Sequence, residues 1–398
     1  KKIKTMKHSY ILSFITLCLL FAGCKKQTNH NTDIYTIDFE QCFDTERQMA
    51  ISEIADNVEY IELKTPEDVI ITSIWDVKQI DNCLLIKARH DVYLFHTNGQ
   101  FIRQVGSRGQ GPEEYYHASK VEIDRKKKEI VISDTHKLLF YDLNGNFLRS
   151  KKWKDITYIG LSDSILWISE IATGEQKCKA VAVSLQDPGD ALTCIPNPVY
   201  GTIEESDHTA VVGGPLTIMF YHKNDSLYFK GDPSNDMIWK LSGLQAEPYA
   251  FIDMGKYKMP LEFEAWYFSY DTYIKNRERY WGVASVIEDD RYFFLLSENR
   301  KISRDNPNLK YIVYDKKQKK GFSAKDSKGI GLTDDILGGP PVWPYWISDE
   351  YYINAITAEE LLGNVKSGDF TPPPPLKEQL SRMNGESNDL LILCHRKK

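Results

Sequence analysis

The residues most able to do chemistry cluster around one glycine-rich stretch, Gly106-x-x-Gly109-x-Gly111-Pro112. It lacks the Lys-Ser/Thr that completes a phosphate-cradling P-loop, and no helical pattern follows it. The stretch reads instead as a crossing loop whose glycines and Pro112 set unusual backbone angles. Arg103, Arg108, Glu113, Tyr115 and His117 stand around it and form a candidate ligand-binding set. Arginine offers a planar fork to carboxylates or sugar hydroxyls, and glutamate accepts hydroxyl donors. Loops on a rigid scaffold often carry such residues.

Other constellations are sparse. His117, His136 and Asp134 would make a metal site only if the fold drew them together, so neither a metal nor a cofactor is expected. No Gly-x-Ser-x-Gly elbow and no His-Glu-x-x-His motif occurs, and no catalytic residue is assigned. Trp266, Tyr267, Tyr270, Tyr273, Tyr280 and Trp281 offer faces on which sugars stack. However, Phe263, Tyr267, Tyr270 and Ile274 recur at helical spacing, which marks a packed face of a helix over 260–280. Val342-Trp343-Pro344-Tyr345-Trp346 poses the same choice between lining a channel and wedging a core.

Something must position these residues, and the composition narrows what. The 398 residues include 48 aromatics, too many for a disordered chain. The net charge of −6 argues against a nucleic-acid partner. Seven cysteines are too few for a disulfide-built scaffold. No Cys-x-x-Cys pair suggests zinc. Cys178 and Cys194 are left as a possible bridge, with Cys83 and Cys394 as small core residues. The Arg125-Lys126-Lys127-Lys128 run precedes the apolar Ile130-Val131-Ile132 and reads as a solvated hairpin turn.

Residues 1–23 read as an export signal. Lys1, Lys2, Lys4 and Lys7 precede an apolar run, Tyr10 to Ala22, that is short for a bilayer span of about 20 residues. The run ends in Leu20-Phe21-Ala22-Gly23-Cys24, which resembles a bacterial lipobox with Phe21 where leucine is usual. Cys24 is the expected lipidation site. Removing residues 1–23 takes away four lysines and no acid, so the net charge falls from −6 to −10. A tether over 24–57 and a single domain over 58–398 follow.

Repetition defines that domain. Leu84-Leu85-Ile86, Tyr93-Leu94-Phe95, Asn98-Gly99 and Phe101-Ile102-Arg103 return 46 residues later as Ile130-Val131-Ile132, Leu139-Phe140-Tyr141, Asn144-Gly145 and Phe147-Leu148-Arg149. Asn-Gly between apolar strands predicts a type I′ hairpin. Weaker echoes at 165–183, 227–241, 292–315 and 351–356 extend the pattern to six units, a period typical of propeller blades. The fold expected is all-β, a six-bladed β-propeller with a few helical insertions. Helices are expected over 359–365 and 376–383, with Thr371-Pro372-Pro373-Pro374-Pro375 as a stiff spacer between them. Val58–Leu63 and Leu390–Leu393 are candidates to close the ring.

Asn57-Val58-Glu59-Tyr60-Ile61-Glu62-Leu63, the segment Asn98 to Tyr115 with its Gly-Gln-Gly-Pro-x-Glu-Tyr motif, Asp334-Asp335-Ile336 with Gly338-Gly339, and Asn388-Asp389-Leu390-Leu391-Ile392-Leu393 together resemble the six-bladed β-propeller lipoproteins of Gram-negative gut bacteria, relatives of NHL-repeat and TolB-like propellers. The resemblance implies fold and export and carries no catalytic residues. The function expected is a lipid-anchored binding or scaffold module of the cell envelope. Its partner would be a glycan, a peptide or an envelope protein, with the periplasmic side favoured by the absence of an acidic run after Cys24. The alternative is an envelope hydrolase or lyase with a site in the propeller channel.

Overall fold

The computed structural model describes residues 34–134, 136–152, 158–169, 177–186, 190–197, 219–231, 236–260, 279–299, 308–326 and 331–397. The export signal, Cys24 and most of the aromatic helix expected over 260–280 lie outside these residues. Among the described residues no helix is long and apolar enough to cross a membrane.

Six sheets form the six blades of a β-propeller, each built on four antiparallel strands. The chain first lays down β1 (Tyr35–Asp38), helix α1 (Phe39–Asp44), β2 (Glu46–Arg47) and β3 (Ala55–Glu62). Blade one is β4 (Ile74–Ile80), β5 (Cys83–Ala88), β6 (Val92–His96) and β7 (Phe101–Gln104). Blade two is β8 (Lys120–Asp124), β9 (Glu129–Asp134), β10 (Lys137–Asp142) and β11 (Phe147–Lys152). Blade three is β12 (Tyr158–Ser162), β13 (Ile165–Ser169), β14 (Cys178–Ser184) and β15 (Thr193–Pro196). Blade four is β16 (Met219–Lys223), β17 (Ser226–Lys230), β18 (Met237–Ser242) and β19 (Gln245–Asp253). Blade five is β20 (Trp281–Glu288), β21 (Tyr292–Asn299), β22 (Leu309–Asp315) and β23 (Lys320–Ala324). Blade six is β24 (Trp346–Ile347), β25 (Tyr351–Ile356) and β26 (Leu390–Arg396), completed by β3. Helices α2 (Ala358–Ser367) and α3 (Pro374–Leu380) interrupt blade six.

The apolar runs on the middle strands follow from burial on both faces. On β5, Leu84 and Ile86 pack against Leu391 and Leu393 of blade six, whereas Leu85 packs against Ile130 and Ile132 of blade two. On β9, Val131 turns the other way, toward Ile159 and Leu161 of blade three. Six such clusters fill the spaces between neighbouring blades. The core is therefore a ring of interfaces.

Closure uses both candidate strands. The C-terminal β26 lies between β25 and β3, with Leu390 opposite Glu62 and Cys394 opposite Val58. Part of the segment read as a lead-in is also paired. β1 runs parallel to β19 on the outside of blade four, and β2 runs parallel to β23 on blade five. Between them α1 buries Phe39 and Cys42. The N-terminal segment thus straps blades four and five before β3 closes the ring at blade six.

Two local expectations change. The Asn-Gly turns are not type I′, because only Gly99 and Gly145 have positive φ, at 83° and 79°. Gly99 N–H donates to the His96 carbonyl at 2.9 Å, and the β6–β7 register shifts between Leu94 and Phe95. This is a three-residue loop, a type I turn followed by left-handed glycine and a bulge. A Cβ at Gly99 would stand 2.1 Å from the Glu62 carbonyl oxygen, so the turn also fits the glycine to the closing strand. The proline run is a spacer only in part, since Pro374 and Pro375 open α3, where their missing N–H groups cost nothing. Cys178 and Cys194 form a disulfide across the β14–β15 edge of blade three. The basic run does form the turn between β8 and β9, where Lys126 pairs with Asp163.

Ending the chain after Asp389 removes four aliphatic side chains that are at most 1% exposed. At roughly 1.5–3 kcal/mol each, their burial rivals the whole stability of about 5–15 kcal/mol expected of a domain. The truncated protein is expected to lose its cooperative thermal transition, and an unchanged Tm would contradict the closure argument.

Candidate functional site

The inner strands of all six blades surround a central cavity of about 1160 Å³. They alternate charged and apolar residues, as in Asp76-Val77-Lys78 and Lys120-Val121-Glu122. That alternation sends one set to the cavity and the other to the interblade cores. Blades one, two and four join in a chain of charges. The Lys78 ammonium lies 3.7 Å from Asp76 and 3.3 Å from Glu122, and Glu122 meets His222 Nε2 at 3.2 Å. Burial pushes the Lys78 ammonium toward neutrality, but Asp76 and Glu122 outweigh it and hold its pKa above the ordinary value. Burial likewise pushes up the Glu122 carboxyl, but Lys78 and His222 more than reverse it.

Deeper between blades four and five, Glu288 is fully buried and accepts hydrogen bonds from Tyr221 (2.9 Å), Tyr249 (2.8 Å) and Lys316. Burial and then the Glu288 charge push the Tyr221 hydroxyl well above its ordinary pKa, so it stays a donor. Asp289 accepts from Tyr352 of blade six. Each carboxylate is satisfied by neighbouring blades, so this constellation serves to pin blades together.

One mouth of the cavity, at the start of the inner strands, is aromatic. Trp75 is half-exposed, Tyr158 and Phe220 line the wall, and Tyr345 and Trp346 approach from blade six. Trp343 turns instead into the core between blades five and six, against Phe294 and Tyr311. The segment 342–346 therefore both wedges and lines. Beneath Trp75 the Lys87 ammonium lies 4.3 Å from the indole centre. Burial and the nearby Lys120 charge lower the Lys87 pKa to about 8. His117 and His90 face each other with Nδ1 atoms 2.8 Å apart, so one imidazole donates and the other accepts. Burial and the Lys87 charge hold the His117 pKa below its ordinary value.

The structure separates the five candidate binding residues. His117 lines the cavity. Tyr115 is fully buried, its hydroxyl donating to the Val105 carbonyl and accepting from Val92 N–H. Arg103 sits on the outer strand β7 and donates to Asn146 of the next blade, an interblade clip. Arg108 is exposed beside Asp91 at 3.5 Å. Glu113 is exposed, and its backbone carbonyl accepts from Tyr141. The glycine motif closes on itself. The Glu114 carboxylate accepts from Gly111 N–H, and a Cβ at Gly109 would collide with it. His136 is exposed and is not among the residues lining the cavity, and among the described residues no three His, Cys, Asp or Glu side chains group to hold a metal. Sequence reasoning missed Lys78, Glu122 and His222. The period-two alternation on β4 and β8 was the available signal.

Replacing Glu122→Gln leaves Lys78 and His222 without their shared counter-charge, an expected cost of about 1–3 kcal/mol at pH 7. Because the Glu122 carboxyl titrates below its ordinary value of 4.5 in the fold, its contribution is complete above that pH and is lost as the pH falls through the folded value. Urea denaturation of both proteins should therefore show a stability gap that narrows below pH 4.5. A gap independent of pH would contradict the charge network.

Among solved structures, a presumed exported protein of Bacteroides fragilis NCTC 9343 superposes with a TM-score of 0.70 at 18% identity, over 92% of this chain and 100% of that one. The likeness extends the propeller fold to that protein. The N-terminal domain of Nup159 gives a TM-score of 0.40 at 11% identity, over 79% and 76% of the two chains. The extracellular domain of a presumed one-component system of Bacteroides thetaiotaomicron gives 0.39 at 10% identity, over 69% and 30%. No curated protein matches the chain. Residues 34–395 match the domain of unknown function DUF4934, a span from the first strap strand to the closing strand, and the chain belongs to that family.

Proposed function

We propose that this propeller is a lipid-anchored module of the cell envelope that binds a polar ligand in its central channel. The observation that carries the reading is the cavity itself. It measures about 1160 Å³, is walled by six rigid inner strands, and has an aromatic mouth above a charged interior. Concave sites with a few convergent polar groups are where ligands bind. Anchoring rests on the lipobox-like Leu20–Cys24 and the charged segment before it. The presumed export of the Bacteroides fragilis protein that shares the fold agrees with that address. The periplasmic side is the favoured one. A second reading, a hydrolase or lyase, draws on His222, whose ring is oriented by Glu122 as a general base would be.

Ser285 lines the cavity from β20, and Ser285→Trp would project an indole into the channel and narrow it. Calorimetric titration with neutral and acidic oligosaccharides and short peptides is expected to find a ligand whose affinity the variant reduces at least about tenfold, equivalent to 1.4 kcal/mol, with Tm retained. Unaltered affinity would move the site off the channel. Turnover of that ligand, abolished by His222→Ala, would favour the enzyme. For the anchor, Cys24→Ser is expected to release the protein from membranes into the soluble fraction. Retention in the membrane fraction would refute lipidation at Cys24.

A further inference from the structure

Trp75 is an unusual residue to leave in the open. It lies at the channel mouth with half of its surface exposed, although its indole is fixed from two sides. The Lys87 ammonium supports one face at 4.3 Å, and the His117 ring meets it edge-on with centroids 6.4 Å apart. A large aromatic face held rigid at a cavity entrance loses little entropy when something stacks on it.

The charges beside it are unbalanced. Lys78 is neutralised by Asp76 and Glu122, and Asp91 is engaged by Arg108 and Gln104. Among the described residues, no carboxylate lies within ion-pairing distance of Lys87 or Lys120, and Asp76 and Asp91 act on Lys87 only from further away. The Lys87 ammonium meets the Arg89 carbonyl at 3.4 Å and the Trp75 ring, and Lys120 lies over Tyr158 at 5.6 Å. Their mutual repulsion contributes to the lowered Lys87 pKa. A half-buried ammonium without a partner is a place where an anionic group of a ligand gains a charge-assisted hydrogen bond. Lys87 is enclosed beneath the indole, so it contributes its field, while Lys120 lines the cavity and can touch a ligand.

We propose that the Trp75 mouth is a subsite for an acidic saccharide, a uronic-acid ring stacked on Trp75 with its carboxylate on Lys120 and its hydroxyls toward the His117–His90 pair. The inference rests on the channel-binding reading above and adds the ligand class. A flat ring with apolar C–H faces suits the indole. Hydroxyls suit an imidazole pair that already holds one donor and one acceptor. The carboxylate supplies the missing counter-charge. Neutral sugars would satisfy only the first two requirements.

The test titrates the protein with oligogalacturonate, alginate and hyaluronan oligosaccharides, each also as its carboxyl methyl ester, and follows heat and tryptophan fluorescence. Esterification removes the charge and keeps the ring. At least one acid is expected to bind about tenfold or more tightly than its ester, the gain of one charge-assisted hydrogen bond. Lys120→Gln should erase that preference while leaving ester binding in place. Trp75→Ala should weaken both forms and remove the fluorescence change, whereas Trp75→Phe retains part of the affinity. Acids that bind no tighter than their esters across the set, or a preference that survives Lys120→Gln, would overturn the acidic-saccharide subsite. If a neutral sugar or peptide still binds and is lost in Ser285→Trp, the channel reading stands without this one. If Ser285→Trp affects no ligand, both fall.

Discussion

Everything in this molecule depends on the insertion of β26 between β25 and β3. A propeller is a chain of sheets, each packed face to face on the next, and such a chain has two raw ends. Here the ends are joined by backbone hydrogen bonds between residues more than 300 positions apart, Leu390 with Glu62 through Cys394 with Val58. The same strand sends Leu391 and Leu393 into the interface with blade one, and Leu390 and Ile392 into the interface with blade five. Closing the ring thus completes two of the six interblade cores at once.

The strap extends that logic outward. β1 and β2 add parallel fifth strands to blades four and five before β3 completes blade six. Three consecutive outer edges are covered by one segment, which removes exposed backbone donors and acceptors from those edges. The buried polar networks do similar work on the inside. Tyr221 and Lys316 reach Glu288 from blades four and five, and Tyr352 of blade six reaches Asp289. Satisfied carboxylates of this kind fix the rotation of one blade against the next, which wide apolar interfaces alone would leave to slide. A rigid ring is what gives the channel mouth its fixed geometry.

The candidate site follows from that geometry. Residues that the sequence spaces apart, Lys78, Glu122 and His222, form one chain of charges because each lies on an inner strand and the six inner strands converge. The glycine-rich loop looked like the more chemical feature. Its Glu114 is consumed in holding its own glycines and its Tyr115 in filling the core between blades one and two. His117, at the end of that loop, is the one candidate of the five that reaches the cavity wall. Motif density along a chain is a poor guide to a site assembled at an axis, since the axis samples one short stretch from each blade.

The sequence by itself determined the blade. Apolar runs such as Leu84-Leu85-Ile86, a hairpin glycine at a 46-residue offset, and a strand at each end are local features, set by backbone conformation and two-faced burial. They suffice for the number of blades and the manner of closure. The tertiary structure alone decided the rest. Tyr35–Asp38 and Glu46–Arg47 are too short to announce themselves as strands, and they become strands because β19 and β23 present open edges more than 200 residues away. The two ammonium groups of Lys87 and Lys120 and the ring of Trp75 come from three different strands. The β4–β5 pairing sets Lys87 beside Trp75, and the packing of blade two on blade one brings Lys120 to them, an arrangement that only the folded sheets create.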